Sequence, residues 1–260
     1  MSASILDVRG GTMRFGGLVA VNDVSFTVEP GQVFGLIGPN GAGKSTMFNM
    51  ITGVLNPTAG EVFFNGQLIS HVALHRRSAM GMARTFQIVR VFHGLTVLEN
   101  VMMGFHHKLV DGFLPSLFKA PAVLASERRL REEARALLAF IGLEHRADEL
   151  IETLPHGQLR LVEIARAQAS GPKLLLLDEP AAGLNEQETE HLKKIIQTLN
   201  TSGITVLLVE HDIDFIMGLC NRIVVLDHGV RIAEGSPAEI QSNEQVIEAY
   251  LGRKAADAES

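Results

Sequence analysis

The sequence contains little cysteine and no surplus of positive charge. Its single cysteine, Cys220, leaves no internal disulfide and no metal cage built from cysteines. Lys and Arg number 23 against 29 Asp and Glu, which gives a net charge of −6. A mildly acidic chain lacks the overall positive charge that is typical of nucleic-acid binders. These shortages favour a reducing compartment, or a fold without cross-links, and we expect no nucleic acid among the partners.

Long apolar runs are also missing. The mean hydropathy of +0.18 is high for a soluble protein, yet no run approaches the roughly 18 to 20 apolar residues that cross a bilayer. Residues 1–7 show neither the basic stretch nor the apolar centre of a signal peptide. We therefore expect a cytoplasmic protein whose apolar residues go into a core or onto a partner.

Short apolar runs are present at residues 33–37, 174–177 and 204–209. Because they do not alternate with polar residues, they predict strands buried on both faces, as in parallel sheets. Helical patterns lie between them, and this alternation from residue 33 onward predicts an α/β fold. Before it, residues 5–8 and 24–28 predict antiparallel, half-exposed strands.

Short polar motifs mark helix starts and turns. Capping boxes, in which a polar side chain and a Glu three residues later close the first turn, begin at Thr96, Asn185 and Ser236. A turn is predicted at residues 65–66 and a hairpin turn at residues 227–229.

Residues 90–170 interrupt the alternation with helical patterns and no convincing strand. Opposite charges four residues apart over residues 127–135 predict a solvated helix face. The apolar, Pro-interrupted stretch 113–118 has no assigned place. We predict an α/β core with an antiparallel β subdomain, formed by residues 1–89 and 171–260, and a helical subdomain, residues 90–170, inserted into it.

A glycine-rich loop follows the first buried run and precedes a helical pattern. It matches the phosphate-binding motif G-x-x-x-x-G-K followed by Ser or Thr in its required setting of strand, loop and helix. Its glycines let backbone N–H groups surround a phosphate, and the helix N-terminus adds its positive dipole end. Lys44 would reach the β- and γ-phosphates, and Ser45 would bind Mg²⁺. The predicted nucleotide-binding residues here are Gly38, Pro39, Asn40, Gly41, Ala42, Gly43, Lys44, Ser45 and Thr46.

Two carboxylates follow the apolar run at residues 174–177. Asp178 would hold Mg²⁺ through water, and Glu179 would polarise an attacking water as general base. Taken alone, an acidic turn after a core strand is the favoured interpretation. Beside the phosphate-binding loop, that alternative becomes improbable.

The order of these motifs resembles the ATP-binding cassette of ABC transporters over nearly the whole chain. The resemblance implies that Phe15 stacks on adenine with Val21 behind it. It also implies that Gln87 contacts the nucleotide and Mg²⁺ and that His211 is the catalytic switch histidine. Neither Gln87 nor His211 would be a site residue on local pattern alone.

The resemblance also assigns roles to two loops. Residues 181–185 are similar to the loop that follows the catalytic glutamate, and residues 154–158 stand where the family signature lies. Gly157 and Gln158 of the signature would contact ATP bound to a second cassette. The commoner signature has serine where this chain has Pro155, which offers neither hydroxyl nor N–H. We therefore expect a weaker contact with the γ-phosphate there.

Four segments, residues 14–18, 84–87, 180–185 and 249–252, resemble the ATP-binding subunits of branched-chain amino-acid importers. Cassettes for urea, short amides or lipopolysaccharide export share several of these features. The resemblance implies ATP and Mg²⁺ as cofactors and a place on the inner face of the cell membrane. It implies transmembrane permease subunits and a second, like or unlike, cassette as partners, and a periplasmic or extracellular binding protein as an indirect one.

Other classes lack support in the sequence. A GTPase should show a guanine-reading Asn-Lys-x-Asp, which is absent. A DNA-repair ABC ATPase would separate its ATP motifs with a long coiled coil, and a ribosome-associated ABC factor would normally carry two cassettes. Residues 89–103 are our candidate for permease docking, and ordinary subdomain core is the alternative, because apolar periodicity does not separate the two.

Overall fold

The computed structural model describes residues 4–85, 89–105 and 121–257, with the side chains of 121–124 and 251–257 left out. In chain order the elements are β1 (Leu6–Phe15), β2 (Leu18–Val28), β3 (Val33–Ile37), α1 (Lys44–Thr52), β4 (Ala59–Phe64), β5 (Gln67–Leu68), α2 (Leu74–Ala79), β6 (Met82–Arg84), α3 (Val97–Met102), α4 (Pro121–Phe140), α5 (His156–Ala169), β7 (Leu174–Asp178), α6 (Glu186–Thr201), β8 (Thr205–Val209), α7 (Ile213–Met217), β9 (Arg222–Asp227), β10 (Val230–Gly235), α8 (Pro237–Gln241) and α9 (Glu244–Asp257).

The larger sheet has six strands in the order β10-β9-β3-β8-β7-β6. Strands β9, β3, β8, β7 and β6 run parallel, and β10 closes the edge as a hairpin with β9. Every residue of β3, β7 and β8 is buried, which confirms the strands predicted from the apolar runs. Their carboxyl ends share one edge of the sheet, where α/β folds bind ligands.

The smaller sheet is antiparallel, with the order β2-β1-β4-β5. Strands β1 and β2 confirm the antiparallel pair, and both extend further than predicted. The simple alternation of strand and helix predicted after residue 33 is wrong at β4 and β5. These strands return to pair with β1, with Leu6 opposite Phe64 and Val8 opposite Val62. This long-range pairing buries Val62 and Phe64. The local pattern of apolar and polar residues gives no sign of it, because the pairing partner lies far away along the chain.

The predicted caps and turns are present. Thr96, Asn185 and Ser236 each form a complete capping box. The turns at residues 65–66 and 228–229 have positive φ at both central positions. This is the geometry in which a two-residue hairpin turn matches the twist of its strands.

The described part of residues 90–170 contains the helices α3, α4 and α5, with one short 3₁₀ turn directly after α3 and two between α4 and α5. Its apolar residues form one cluster with one face of the larger sheet, while α1 and the smaller sheet cover the other face. The charged run on α4 is exposed, with Arg129 paired to Glu133 at 3.0 Å. Residues 113–118 lie outside the described residues. In the described segments, no helix has the length and apolar content that membrane crossing requires.

The buried Arg77 forms hydrogen bonds with the C-terminal end of α1, the helix that follows the phosphate-binding loop. The Arg77 guanidinium donates to the carbonyl oxygens of Met50 and Ile51, near the C-terminal end of α1. It also donates to the carbonyl oxygens of Val72, Ile69 and Ser70. A cation at a helix C-terminus complements the helix dipole and supplies donors to carbonyls that the helix leaves open.

Candidate nucleotide-binding site

The loop of residues 38–46 joins β3 to α1 at the carboxyl edge of the larger sheet. Gly43 takes φ 100° directly before α1, and a Cβ there would lie 2.6 Å from the Ala20 carbonyl oxygen. A Cβ on Gly38 would collide with the Leu226 carbonyl oxygen. Both positions therefore require glycine, because any side chain there would collide with a neighbouring backbone carbonyl.

The Lys44 side chain bends back over the loop. Its Nζ donates to the carbonyl oxygens of Gly38 at 2.6 Å and Pro39 at 2.9 Å, and the side chain is buried. The first turn of α1 contains no acidic residue, so its dipole end is not neutralised locally. The loop thus brings the positively charged ammonium of Lys44 close to the positive end of the α1 dipole. Both attract negative charge, so the loop suits a multiply charged anion.

A cavity of about 340 Å³ opens over this loop. The cavity is lined by residues 18–20 and 40–46 and by Glu179 and His228. The structure thereby brings the predicted phosphate loop and the predicted general base together. Phe15 is 47% exposed at the end of β1 and does not line the cavity. Val21 is fully buried, and its Cγ2 would be 3.2 Å from a Cβ on Gly43.

Asp178 is the last residue of β7 and is buried. Burial raises the pKa of its carboxyl, and the positive charge of Arg84 opposes that shift. Arg84 Nη2 lies 3.9 Å from Asp178 Oδ2, and the Asp178 N–H donates to Thr85 Oγ1 at 3.4 Å. Gln87, predicted near this point, lies outside the described residues.

Glu179 follows Asp178 in the left-handed region, with φ 45°. This conformation is uncommon for a residue with a side chain and costs about 1 kcal/mol or more, so surrounding contacts must hold it. Its N–H donates to the Val209 carbonyl oxygen at 2.9 Å, which extends the β7–β8 pairing by one residue. The turn sends the Glu179 side chain to the cavity while Asp178 stays in the sheet.

His211 comes after β8, and its side chain is 57% exposed. Glu210, between β8 and His211, is fully buried, and its carboxylate accepts hydrogen bonds from two backbone N–H groups. Sequence reasoning passed over this residue. The sequence does contain one sign of its importance, since Glu210 is a charged residue directly after the apolar run at residues 204–209.

The signature residues lie apart from the phosphate-binding loop. Pro155 is the N-cap of α5 and makes no side-chain capping bond. Gly157 and Gln158 line a different cavity, of about 360 Å³. The Gln158 Oε1 accepts from Arg146 Nη1 at 2.7 Å. A Cβ on Gly157 would lie 2.5 Å from Glu188 Oε1, so α5 and α6 approach closely here. Within one chain these two residues do not reach the nucleotide cavity.

The fold and this site define an ATP-binding cassette. A family profile described as "ABC transporter" matches residues 21–182, a range that runs from β2 through Asp178 and Glu179. The chain therefore belongs to the ABC transporter family, as a nucleotide-binding subunit that hydrolyses ATP. A second profile, "Branched-chain amino acid ATP-binding cassette transporter", matches residues 230–256, which span β10 to α9.

Individual relatives agree with both profiles. The chain is 46% identical over 253 residues to the high-affinity branched-chain amino acid transport ATP-binding protein BraF of Pseudomonas aeruginosa, covering 97% of this chain and 99% of the relative. It is 42% identical, with the same coverage, to LivG of Escherichia coli, which carries the same description. The crystal structure of an ABC transporter cassette in its ADP conformation matches with a TM-score of 0.81 and 33% identity, covering 96% of this chain and 99% of that chain.

Proposed function

We propose that this chain is the ATP-hydrolysing subunit of an importer for branched-chain amino acids. The observation that carries the proposal is near full-length similarity to subunits of such transporters, joined to a C-terminal segment that matches a profile specific to them. The cassette itself never touches the transported molecule, so the substrate is inferred from kinship. The nucleotide chemistry is argued from the site.

Lys44 and the loop of residues 38–46 would bind the phosphates of ATP, and the exposed ring of Phe15 would stack on adenine. The buried Val21 would support the loop from below. Glu179, on the cavity wall, would accept a proton from the attacking water. His211 would contact the γ-phosphate from the neighbouring strand end.

The donor set suits Mg²⁺. Ser45 lines the nucleotide cavity, and Asp178 lies at the end of β7, two strands from β3 in the larger sheet. Gln87 is predicted to join them. Mg²⁺ in nucleotide sites takes one or two protein oxygens and completes its shell with phosphate and water. When bound, the ion would neutralise phosphate charge. The Arg84 guanidinium, 3.9 Å from Asp178 Oδ2, gives that carboxylate a positively charged neighbour.

A second cassette would complete the site. The signature residues Gly157 and Gln158 line a cavity separate from the nucleotide cavity of their own chain. A head-to-tail pair of cassettes would place the signature of each chain over the nucleotide of the other. The partner would be another copy of this chain or a related cassette.

The signature proline gives a testable expectation. Replacing Pro155 by serine supplies a hydroxyl and an N–H, which in the proposed dimer would face the γ-phosphate bound to the other cassette. Serine also caps α5, worth about 1 kcal/mol, which the lost rigidity of proline roughly offsets. We expect a lower KM for ATP and a severalfold higher turnover, measured by phosphate release, with little change in thermal stability. Unchanged KM and turnover in Pro155→Ser would contradict this role for the signature.

A groove of about 730 Å³ is the proposed docking surface for a permease. One wall comes from the α/β core at residues 82–84, and the other from α5 and the 3₁₀ turn that begins at Met103. Residues 89–93 run along it, with Phe92 45% and Met103 41% exposed. The predicted docking segment thus divides: Val97, Leu98 and Val101 lie in the core, whereas its two ends face the groove.

Charged side chains line this groove, and one of them, Arg84, reaches toward Asp178 of the nucleotide site. The Arg166 guanidinium lies 5.3 Å from the centre of the Phe92 ring and donates to the Arg90 carbonyl oxygen at 2.5 Å. Arg166 also pairs with the buried Glu163 at 3.7 Å. Arg84 lines the same groove and approaches Asp178. A permease segment seated in the groove would therefore lie beside groups that hold the Mg²⁺ carboxylate, on the inner face of the membrane.

Co-purification tests the docking surface. An aromatic anchor at the centre of an interface typically contributes 2 kcal/mol or more, roughly thirtyfold in affinity. We expect Phe92→Ser to lose most of the permease captured by a tagged cassette, while its basal ATPase activity stays unchanged. Val54→Ser, at a site 51% exposed and outside the groove lining, should capture permease normally. Equal capture by both variants would contradict the docking proposal.

A further inference from the structure

Glu210 joins two loops of the nucleotide site through one buried carboxylate. Its Oε1 accepts the N–H of Ala181 at 2.8 Å, and its Oε2 accepts the N–H of His211 at 3.2 Å. Ala181 lies on the loop just after Glu179, and His211 begins the segment after β8. The His211 Nδ1 is also 3.8 Å from Oε2.

A carboxylate is the group that suits this position. Ionised, it accepts on both oxygens and donates on neither, so it matches two backbone donors that arrive from different loops. A glutamine of the same size would turn an NH₂ group toward one of those donors. An aspartate would fall one methylene short.

Stability alone is a poor explanation for the burial of Glu210. Its side chain is fully buried, and desolvation raises its pKa while the two backbone donors oppose that shift. The charged groups that face it are His211 and, repulsively, Glu179. A buried charge is often no better for folding than an apolar side chain of similar volume.

The loop that Glu210 holds is a strained one. Glu179 adopts φ 45°, and such conformations persist where surrounding contacts enforce them. The Glu179 N–H is tied to Val209 at 2.9 Å, and the Ala182 N–H closes a turn on the Glu179 carbonyl oxygen at 3.2 Å. The bond from Ala181 to Glu210 then anchors the middle of that turn to the end of β8.

We propose that Glu210 is a positioning residue that fixes Glu179 and His211 in register for ATP hydrolysis. The inference rests on the roles proposed above for those two residues. The Glu210 carboxylate bonds to Ala181 and His211 rather than to the loop of residues 38–46, and Glu210 is not among the residues that line the nucleotide cavity. Its loss should therefore lower kcat and leave ATP affinity intact, whereas a merely structural residue would change stability or affect both parameters.

The test compares purified full-length Glu210→Gln with the unchanged protein. We expect kcat for phosphate release to fall by roughly tenfold or more, as for a misplaced catalytic group. The Kd for a fluorescent ATP analogue should stay within about twofold. The melting temperature should fall by no more than roughly 3 °C, because removal of a buried charge offsets the acceptor that glutamine lacks at one backbone N–H. Glu61→Gln, an exposed carboxylate on β4, serves as the matched control and should behave like the unchanged protein.

Three further variants keep the outcome decisive. Glu210→Asp retains the charge but not the reach, so it should also lower kcat at unchanged Kd, and it replaces the glutamine variant if that one does not fold. Wild-type kcat in either folded variant, or a loss of ATP affinity parallel to kcat, would overturn the inference. Glu179→Gln and His211→Ala are measured alongside. If these two keep full turnover, the proposed roles fail and the inference with them. If they lose turnover while Glu210 variants do not, the inference alone fails.

Discussion

Replacing Glu179 by glutamine is expected to reduce ATP turnover by about 10²-fold or more, the range typical for loss of a general base. Glutamine has the same shape but accepts no proton at neutral pH. Glu179 lies on the cavity wall, beyond the loop that holds the phosphates. ATP affinity should therefore remain within about twofold of that of the unchanged protein.

Two other variants make the measurement specific. Lys44→Ala removes the buried ammonium at the centre of the phosphate loop and should lose both ATP affinity and turnover. Glu186→Gln, exposed at the start of α6, should change neither. Phosphate release and equilibrium nucleotide binding separate the three patterns. A Glu179→Gln protein that hydrolyses ATP at the unchanged rate would remove Glu179 from the catalytic role.

Replacing Arg77 by alanine is expected to lower the free energy of unfolding by about 4 kcal/mol or more. The side chain is 1% exposed, and its five N–H···O bonds reach carbonyls at the end of α1 and in residues 69–72. Each carbonyl left open in a buried site costs about 1 kcal/mol or more. Burial lowers the pKa of Arg77 to about 10, so the cation persists at neutral pH.

The stability loss should appear as a drop of roughly 10 °C in melting temperature, at 2–4 °C per kcal/mol for a chain of this size. Arg77→Lys, with a point charge in place of the planar fork, should recover part of it. The neighbouring Arg76→Ala, which is exposed on the same helix, should change the melting temperature little. A melting temperature unaffected by Arg77→Ala would refute the capping account of α1.

The sequence predicts the parts of the site whose signal is local. The loop of residues 38–46 was identified because glycine spacing and flanking apolar runs suffice to define it. The capping boxes at Thr96, Asn185 and Ser236 were predicted for the same reason and are present.

Long-range partners explain what the sequence did not predict. Arg77 and Glu210 look like ordinary charged residues in the sequence. The carbonyls that Arg77 satisfies lie 5 to 27 residues away along the chain, and the carboxylate of Glu210 joins the adjacent His211 to Ala181, 29 residues away. The return of β4 to β1 likewise depends on a pairing across about fifty residues. In residues 89–103, apolar character is shared by core and groove, and tertiary packing decides which residue faces which.

ATP-driven uptake of leucine is the most direct test of the central claim. The chain is purified with the permease that it captures, reconstituted into vesicles with the matching binding protein, and supplied with ATP and labelled leucine, urea or acetamide. The account predicts ATP-dependent accumulation of leucine that is abolished by Glu179→Gln, and no accumulation of urea or acetamide. A complex that hydrolyses ATP and moves urea or acetamide, but not leucine, would contradict it.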